Sequence, residues 1–377
     1  MSLPRIEIDL KKVEHNTSTL VKLCRSTGID VAGVTKATCG DPRVARAMLQ
    51  GGVALLADSR VENLRRIRKA RVTADLLLLR SPQPSMAREV VRWSNMSLNS
   101  ELSTIQALGR EARDLGVEHG VILMVDMGDR REGVMPEMLS DLVRHTLDVD
   151  GVKLEGIGTN LACYGGVVPN REKMDRLMDL VRKVEQEADV TVNTVSAGNS
   201  ANIPLQMEIG HPEGVTQLRL GESILLGLET INRGPIPGTH QDAFTVVGEL
   251  VEVGRKPSLP EGTISQDAFG NTPKIEDRGE ITEGILALGR QDVEPGSLTP
   301  GDPGVVILGA SSDHLILDMG VDGWSVGAEV RLIPGYGSLL RAMTSAYVAK
   351  EYPRTTPGME PRTSLSGTTP ARFSKSP

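Results

Sequence analysis

The chain contains few aromatic residues, few cysteines and no long apolar run. Its 377 residues include two Trp, four Tyr and three Phe, too few to favour an aromatic cage or a platform on which bases stack. Cys24, Cys39 and Cys163 lie far apart, without CxxC or Cys/His ligand spacing. They therefore indicate a reducing compartment and no metal site. No apolar segment approaches the length of a membrane span.

The charge balance and the N-terminal segment narrow the class of protein further. A formal net charge of −7 and a pI near 5.6 argue against nucleic acid or an anionic membrane as the partner. Residues 4–10 alternate apolar and charged side chains, unlike a signal peptide. These features predict a cytoplasmic protein. A mild excess of acidic residues would also suit a cationic substrate, although many enzymes have such an excess.

Strand-like and helix-like segments alternate from about residue 28 to residue 228. The strand-like segments are short and rich in β-branched residues or leucine, as in parallel sheets that are buried on both faces. An apolar stripe over residues 170–188 predicts one of the amphipathic helices between them. The pattern favours a (β/α)8 barrel, with a doubly wound sheet as the alternative. The predicted strands are 31–35, 53–57, 75–79, 121–126, 154–158, 194–197, 217–220 and 224–227.

The character of the sequence changes near residue 229. Residues 229–242 are rich in Gly, Pro and Asn, and the short strands predicted after them, at 245–253, 304–309, 314–319 and 326–333, are separated by Gly, Pro and Asp. The predicted division is therefore an α/β barrel domain over 1–235 and a smaller all-β domain over 236–352. Residues 339–350 could form a helix or a strand. Residues 353–377 are rich in Pro, Ser and Thr and are predicted to be a disordered tail.

Lys36 ends the first predicted barrel strand and is followed by a predicted helix at 41–50. The carboxyl ends of barrel strands meet at the mouth of the barrel, where active sites form. Partial burial there disfavours the charged ammonium and frees the amine to attack a carbonyl. A lysine at the end of a strand can also be a solvated surface charge, so this position needs support from the rest of the chain.

Four further strand ends carry polar residues. Gly-rich turns after residue 126 could place Arg130 or Arg131 over the barrel mouth. Small hydroxyl and amide residues at 196–202, with their backbone N–H groups, suit an anion such as phosphate, although a serine that only caps a helix needs no ligand. Phosphate sites recur near the seventh and eighth strands of such barrels. The polar residues at these ends include Asn160, Ser196, Asn199, Ser200, Arg219, Gly221 and Glu222.

Six motifs in a fixed order resemble the alanine-racemase fold, in which a barrel that binds pyridoxal 5′-phosphate (PLP) precedes a β domain. The resemblance covers most of residues 4–352. It is closest to the ornithine racemase group of amino-acid racemases. The motifs are AGVTK at 32–36, ADSRVEN at 57–63, TNLACYG at 159–165, QLRLGE at 217–222, ALGRQD at 287–292 and GASSDH at 309–314.

The resemblance implies a role for each matching residue. Lys36 would bind the cofactor covalently and act as acid and base on one face of the substrate Cα. Arg131 would contact the phenolic oxygen, and Arg219 would face the pyridine nitrogen and, as a donor only, disfavour its protonation. Ser200, with N–H groups near Gly221 and Glu222, would hold the phosphate. Asn160, Ser196, Asn199 and Tyr347 complete the predicted cofactor-binding set.

The sequence departs from alanine racemases at two positions. Residues 263–269 contain no tyrosine where those enzymes carry the second acid/base on the partner subunit, and Asn160 replaces a usual histidine. We therefore expect Ser312, Asp313 and His314 to enter the partner's site, with His314 as the second acid/base. Asp313 would orient it or, with Ser312, bind the substrate's side chain. A plain turn is an equally good interpretation of these three residues. A shared site would require a homodimer.

These observations predict a PLP-dependent isomerase that interconverts the L and D forms of a free basic amino acid, with ornithine first. Racemisation of lysine, or of small neutral amino acids such as alanine or serine, is the alternative. A PLP carrier is disfavoured because such chains generally stop after the barrel. A related decarboxylase would need a cysteine after Cys163, and a metal-dependent aldolase would need a ligand pair that His314 alone cannot supply.

Overall fold

The computed structural model describes residues 3–320 and 323–353. Eight parallel strands, β2 to β9, close into a barrel in chain order, which confirms the predicted (β/α)8 architecture. The described strands are β1 Arg5–Ile8, β2 Asp30–Val34, β3 Leu55–Asp58, β4 Leu76–Leu78, β5 Met96–Asn99, β6 His119–Met124, β7 Val152–Gly158, β8 Thr194–Ser196, β9 Gln217–Leu220, β10 Phe244–Pro257, β11 Glu280–Leu286, β12 Leu298–Pro300, β13 Val306–Ala310, β14 Leu315–Asp318, β15 Glu329–Pro334 and β16 Ala349–Glu351.

Helices follow the barrel strands and cover their outer faces. Alternate strand residues point inward and fill the barrel with a small apolar cluster, whereas the others pack beneath the helices in the main core. The predicted apolar stripe on α7 is confirmed by five buried residues. The described helices are α1 Leu10–Arg25, α2 Pro42–Gln50, α3 Val61–Lys69, α4 Ala87–Trp93, α5 Leu102–Leu115, α6 Leu139–Leu147, α7 Arg171–Ala188, α8 Ile203–Glu208, α9 Glu222–Leu226 and α10 Tyr336–Thr344.

The predicted strand at 224–227 is wrong, because this segment forms helix α9 and ends at Gly227 with a φ of 64°. The side chains of Ser223 to Leu226 are all buried, and a short, fully buried apolar run does not distinguish a helix from a strand. The eighth barrel strand is instead β5, which the sequence analysis did not predict. Its residues Met96–Asn99 include no β-branched side chain.

A largely antiparallel sheet of eight described strands forms the second unit, with β12-β15-β10-β11-β14-β13 in that order and β1 and β16 joined beside β10. The boundary predicted at 235/236 assigned the N-terminus to the barrel. Strand β1 instead pairs antiparallel with β10, where Arg5 faces Val247, and parallel with β16. Residues 339–350 contain both predicted structures, the end of helix α10 and the start of β16. The predicted tail lies outside the described residues, apart from Pro353.

Buried ion pairs fix β1 in this sheet. Arg5 is 3 % exposed and donates two hydrogen bonds of 2.8 Å to the carboxylate of Glu329 on β15. It also pairs with Glu7 on its own strand and lies 3.7 Å from Glu351 on β16. The hydrogen bond to Glu329 raises the pKa of Arg5 despite its burial. A bidentate pair of this kind holds both partners in one orientation, and so links β1 with β15.

Gly156 lies where β7 and β8 approach each other most closely, and we expect Gly156→Ala to destabilise the barrel. An added Cβ would lie 2.2 Å from the carbonyl oxygen of Thr194, so the strands must separate. The free energy of unfolding, measured in urea, should fall by about 1–3 kcal/mol. Gly254→Ala is the matched control, since nothing lies within 4 Å of its added Cβ. Equal stability of the two variants would contradict the close approach.

Candidate active site

A cavity of about 730 Å³ opens at the carboxyl ends of the barrel strands. Residues that follow seven of the eight strands line it, together with one residue from helix α10. This is the position at which barrels of this type hold their active sites. The polar lining residues are Lys36, Ser59, Arg80, Ser81, Arg131, Glu132, Asn160, Cys163, Asn199, Ser200, Arg219, Glu222, Thr230, Arg233 and Tyr336.

Lys36 begins a short 3-10 turn directly after β2. The turn is fixed from β3, because the hydroxyl of Thr35 donates a 2.7 Å hydrogen bond to the buried carboxylate of Asp58. Asp41 caps the following helix α2, and Pro42 occupies its first turn. Burial lowers the pKa of Lys36, while nearby Cys163 acts in the opposite direction. The partly buried amine is therefore more easily deprotonated than a surface lysine, as a nucleophile requires.

Ser200 lines the same cavity as Lys36, and N–H and hydroxyl groups converge on it to form a cradle. Its hydroxyl oxygen accepts hydrogen bonds from the backbone N–H groups of Gly221, at 3.3 Å, and Ser223, at 3.2 Å, and lies 3.0 Å from the Ser223 hydroxyl. Gly221 and Glu222 line the cavity at the same place. Backbone N–H groups and hydroxyls that converge in this way suit an anion. The arrangement agrees with the predicted place of a phosphate.

Arg219 lies at the floor of the cavity and is 4 % exposed. Its guanidinium donates to the carbonyls of Ser196, at 3.1 Å, and Thr159, at 2.7 Å, and to the side chain of Asn160 at 3.4 Å. Burial lowers the pKa of Arg219 to about 10, still far above neutrality. This residue is therefore a fixed hydrogen-bond donor that faces the cavity.

Ser196 does not line the cavity, and its predicted place among the cofactor-binding residues stays a prediction. Its buried hydroxyl donates a 2.7 Å hydrogen bond to Gln217 and accepts one from Arg219. Ser196, the last residue of β8, is fully buried and supports Arg219. Asn199 does line the cavity, but its amide nitrogen donates to Asn160, at 3.0 Å, and to the Leu161 carbonyl, at 2.8 Å.

Two buried polar atoms at the cavity wall have no hydrogen-bond partner in the described part of the chain. They are the amide nitrogen of Asn160 and the hydroxyl of Ser81. Native proteins pair nearly all buried polar groups, and both residues lie where a ligand would contact them. The two atoms indicate that a polar ligand belongs in this cavity.

Arg131 is held in the cavity by residues from two loops. It forms an ion pair with the neighbouring Glu132, and one guanidinium nitrogen lies 2.8 Å from the sulfur of Cys163. Burial has the largest single effect and lowers the pKa of Arg131, but the hydrogen bonds to Glu132 and Cys163 and their charges together outweigh it, so the net pKa is raised. Arg130, the other candidate, is absent from the lining. The loop after β6 therefore presents Arg131 as a permanent cation.

Tyr347 lies outside the cavity, whereas Tyr336 lines it. Tyr347 is 67 % exposed and follows the end of helix α10 at Thr344. Tyr336 is the first residue of α10, which packs against the turn at Lys36, and its ring centroid is 5.9 Å from the Lys36 amine. The phosphate contact by Tyr347 stays a prediction, and Tyr336 is the tyrosine that lines the cavity of the described chain. Burial raises its pKa to about 12.

Ser312, Asp313 and His314 do not reach the cavity of their own chain. They form the exposed tip of the hairpin between β13 and β14. Local hydrogen bonds define the turn, since Ser312 donates a 2.6 Å hydrogen bond to Asp313 and Ser311 accepts from the backbone N–H of His314 at 3.1 Å. An exposed polar tip agrees with a role in another subunit, and that role stays a prediction.

The sequence analysis did not single out several residues of the cavity. Arg80 and Ser81 directly follow the correctly predicted strand β4, so the reasoning that found Lys36 could have found them. Glu132 lies beside Arg131 in a loop whose direction the sequence does not fix. Thr230 and Arg233 come from the Gly-rich segment after α9, and no periodic pattern marks them. Arg233 forms an ion pair with Glu222 across the cavity wall.

Comparison with known proteins identifies the family. The alanine racemase N-terminal domain family matches residues 8–229. An ornithine racemase from Acetoanaerobium sticklandii is 40 % identical over 92 % of this chain and 99 % of its own length. A lysine racemase from Thermotoga maritima is 38 % identical over 93 % and 99 %. The chain belongs to the alanine racemase N-terminal domain family. The predicted racemase resemblance is thereby confirmed.

Solved structures share the fold of this chain. An alanine racemase from Bacillus anthracis with bound L-Ala-P gives a TM-score of 0.72, at 16 % identity, over 94 % of this chain and 96 % of the other. A D-threonine aldolase from Filomicrobium marinum gives 0.70, at 16 % identity, over 91 % and 88 %. Identities this low show the fold alone.

Two searches of residues 3–320 and 323–353 bear on other kinds of site. No group of three or more His, Cys, Asp or Glu in that part of the chain is placed to hold a metal ion. No helix there has both the length and the apolar composition of a membrane span.

The burial of Lys36 gives a prediction for the protein without cofactor. Because its folded-state pKa is lowered, the buried cation costs stability at all pH values below that pKa, and the cost fades as pH rises toward the unfolded value near 10.5. Lys36→Met should therefore raise the free energy of unfolding at pH 7 by on the order of 1 kcal/mol, with a smaller gain at pH 10. Urea denaturation measures both values.

Lys22→Met is the control, because Lys22 is exposed on α1. This variant should change stability by no more than about 0.5 kcal/mol at either pH. A Lys36→Met variant that is less stable than the parent at pH 7 would show that the ammonium is not destabilising in the fold.

Proposed function

We propose that this protein is a PLP-dependent racemase of basic amino acids, with ornithine as its first substrate. The observation that carries the proposal is the partly buried amine of Lys36 in one cavity with the Ser200 cradle and the Arg219 guanidinium. The ornithine and lysine racemases at 40 % and 38 % identity support a basic substrate, with lysine as the second candidate. Nearly the full length of both relatives is matched.

The residues of the cavity fit pyridoxal 5′-phosphate. Lys36 supplies an amine for its aldehyde, and the Ser200 hydroxyl with the Gly221 N–H supplies donors for its phosphate. The unpaired amide nitrogen of Asn160 supplies a further donor near Arg219. When bound, PLP withdraws electrons from the Cα of an attached amino acid and so makes the Cα proton removable.

Arg219 favours racemisation over the other reactions that a PLP site can support. It can only donate, and its pKa of about 10 keeps it protonated at neutral pH, so a nitrogen that faces it remains an acceptor. Electron withdrawal is then weaker, and return of the proton to Cα is favoured. Lys36, with its lowered pKa, is the group that removes or returns this proton on its own face of the substrate.

Inversion requires a second acid/base on the opposite face of Cα. Among the described residues of one chain, the cavity contains no histidine. We infer that the β13–β14 hairpin of a partner subunit supplies His314, oriented by Asp313, and that the active form is a homodimer. The exposure of this tip and its local hydrogen bonds support the assignment. A cytoplasmic location stays part of the proposal.

The first experiment is proton exchange at Cα. With PLP added, the protein is incubated in D2O with single enantiomers of ornithine, lysine, arginine, alanine and serine, and loss of the Cα–H signal is followed by NMR and by chiral analysis. We expect exchange with loss of optical purity for ornithine first. Lys36→Ala should abolish both exchange and the absorbance of the bound cofactor.

Other outcomes have definite meanings. Bound PLP without exchange of any amino acid would favour a carrier, and deletion of the second unit would then leave cofactor binding intact. Faster exchange of alanine than of ornithine would contradict the basic substrate. Turnover by Lys36→Ala would contradict the assignment of the nucleophile.

Replacement of His314 tests the second acid/base. If His314 serves one face only, His314→Gln should slow exchange of one enantiomer by about 10²-fold or more and exchange of the other far less, because Lys36 still serves its own face. Exchange of both enantiomers is measured by NMR under first-order conditions. His145→Gln, at the end of helix α6, is the control and should leave both rates unchanged. Small, equal effects of His314→Gln on both enantiomers would remove His314 from the site.

A further inference from the structure

Arg80 is a cation in the cavity, and no residue in the described part of the chain forms an ion pair with it. The lining contains the cations Lys36, Arg80, Arg131, Arg219 and Arg233. Arg131 pairs with Glu132, and Arg233 pairs with Glu222, so both carboxylates of the lining are already engaged.

The remaining three cations differ in what they contact. Arg219 donates to carbonyl and side-chain oxygens of the barrel, and Lys36 is the proposed nucleophile. Arg80 is exposed to the cavity and, within the described chain, has no ion pair. A guanidinium that faces a binding site without an ion pair is suited to bind an anionic group of the ligand.

The order of the barrel strands indicates which anionic group this is. Arg80 follows β4, and the Ser200 cradle follows β8, four strands away in a closed barrel of eight. Arg80 and the cradle therefore stand at opposite sides of the barrel mouth, and a phosphate in the cradle is not the partner of Arg80. An anionic group that pairs with Arg80 would lie on the β4 side.

Arg80 also stands midway between two residues that border the substrate. Lys36 follows β2 and Arg131 follows β6, so each lies two strands from β4. The hydroxyl of Ser81, next in sequence to Arg80, is one of the two buried cavity-wall atoms without a partner. A donor and a cation are thus presented together from one strand end.

We propose that Arg80 binds the α-carboxylate of the amino-acid substrate, with Ser81 as a second donor. This assignment rests on the proposed function, because it takes an amino acid as the ligand whose amine is placed at Lys36. A guanidinium can bind a carboxylate through two parallel hydrogen bonds. Arg80 would therefore select amino acids over amines and fix the orientation of Cα between the two acid/base groups.

The test compares ligands with and without the carboxylate. The PLP-loaded protein is titrated with L-ornithine, with L-ornithinol, in which CH2OH replaces the carboxylate, and with 1,4-diaminobutane, and the change in cofactor absorbance gives each Kd. Arg80→Gln should raise the Kd of ornithine at least tenfold and change those of ornithinol and 1,4-diaminobutane by no more than about twofold. Arg80→Lys should fall between Arg80→Gln and the parent, since the charge remains but the paired geometry is lost.

A second readout separates the carboxylate from the phosphate. The Kd of PLP for the cofactor-free protein, measured by absorbance, should be unchanged in Arg80→Gln. Arg110→Gln is the matched control, because Arg110 is exposed on α5 away from the cavity, and it should leave every Kd unchanged. Weaker PLP binding in Arg80→Gln would overturn the proposal, because Arg80 would then serve the cofactor.

The remaining outcomes distinguish this inference from the proposed function. If the parent protein exchanges the Cα proton of ornithine and Arg80→Gln binds ornithine as tightly as the parent does, only the assignment of Arg80 fails. An equal loss of affinity for all three ligands would also overturn it, since the carboxylate would not be the group recognised. If the parent responds to none of the three ligands and exchanges no amino acid, both proposals fail.

Discussion

The pairing of β2 with β9 is the constraint on which the site depends. In the closed barrel Ala32 faces Arg219 and Gly33 faces Leu220, so the first and last strands of the barrel lie side by side. This register places Lys36, which follows β2, next to Gly221, which follows β9. In sequence, Lys36 and the Ser200 cradle are separated by almost the whole barrel domain. They come together because the barrel closes between β2 and β9.

Close contacts around this seam leave little freedom for either group. Any larger residue at position 221 would displace Val34, because an added Cβ on Gly221 would lie 3.1 Å from the Val34 Cβ. On the other side of Lys36, Gly40 has a φ of 62°, and an added Cβ would lie 2.8 Å from the Asn63 carbonyl oxygen. The chain on both sides of the amine is therefore fixed by backbone contacts.

Site residues that lie in or after periodic strands could be predicted from the sequence. Residues that reach the site through loop conformation or long-range packing could not. Strand β9 was predicted with its observed bounds, and Lys36, Arg219 and Ser200 could be named because they lie within or shortly after predicted strands. Tyr336 could not be found in this way. It reaches the cavity only because α10 packs against the turn at Lys36, a contact between segments about 300 residues apart. The placement of β1 in the second sheet has the same cause, since it depends on a long-range ion pair.

The net positive charge of the cavity sets a condition on the binding of a cationic amino acid. Five cations and two carboxylates line it, an arrangement that repels a substrate with a positive side chain unless anions are added. In the proposed complex, a phosphate in the Ser200 cradle would supply most of this negative charge, and the α-carboxylate at Arg80 would supply more. The distal ammonium of ornithine would then lie away from Lys36, Arg80 and Arg131, which follow β2, β4 and β6. The open mouth, where Asp313 of a partner hairpin would enter, is the region left for it.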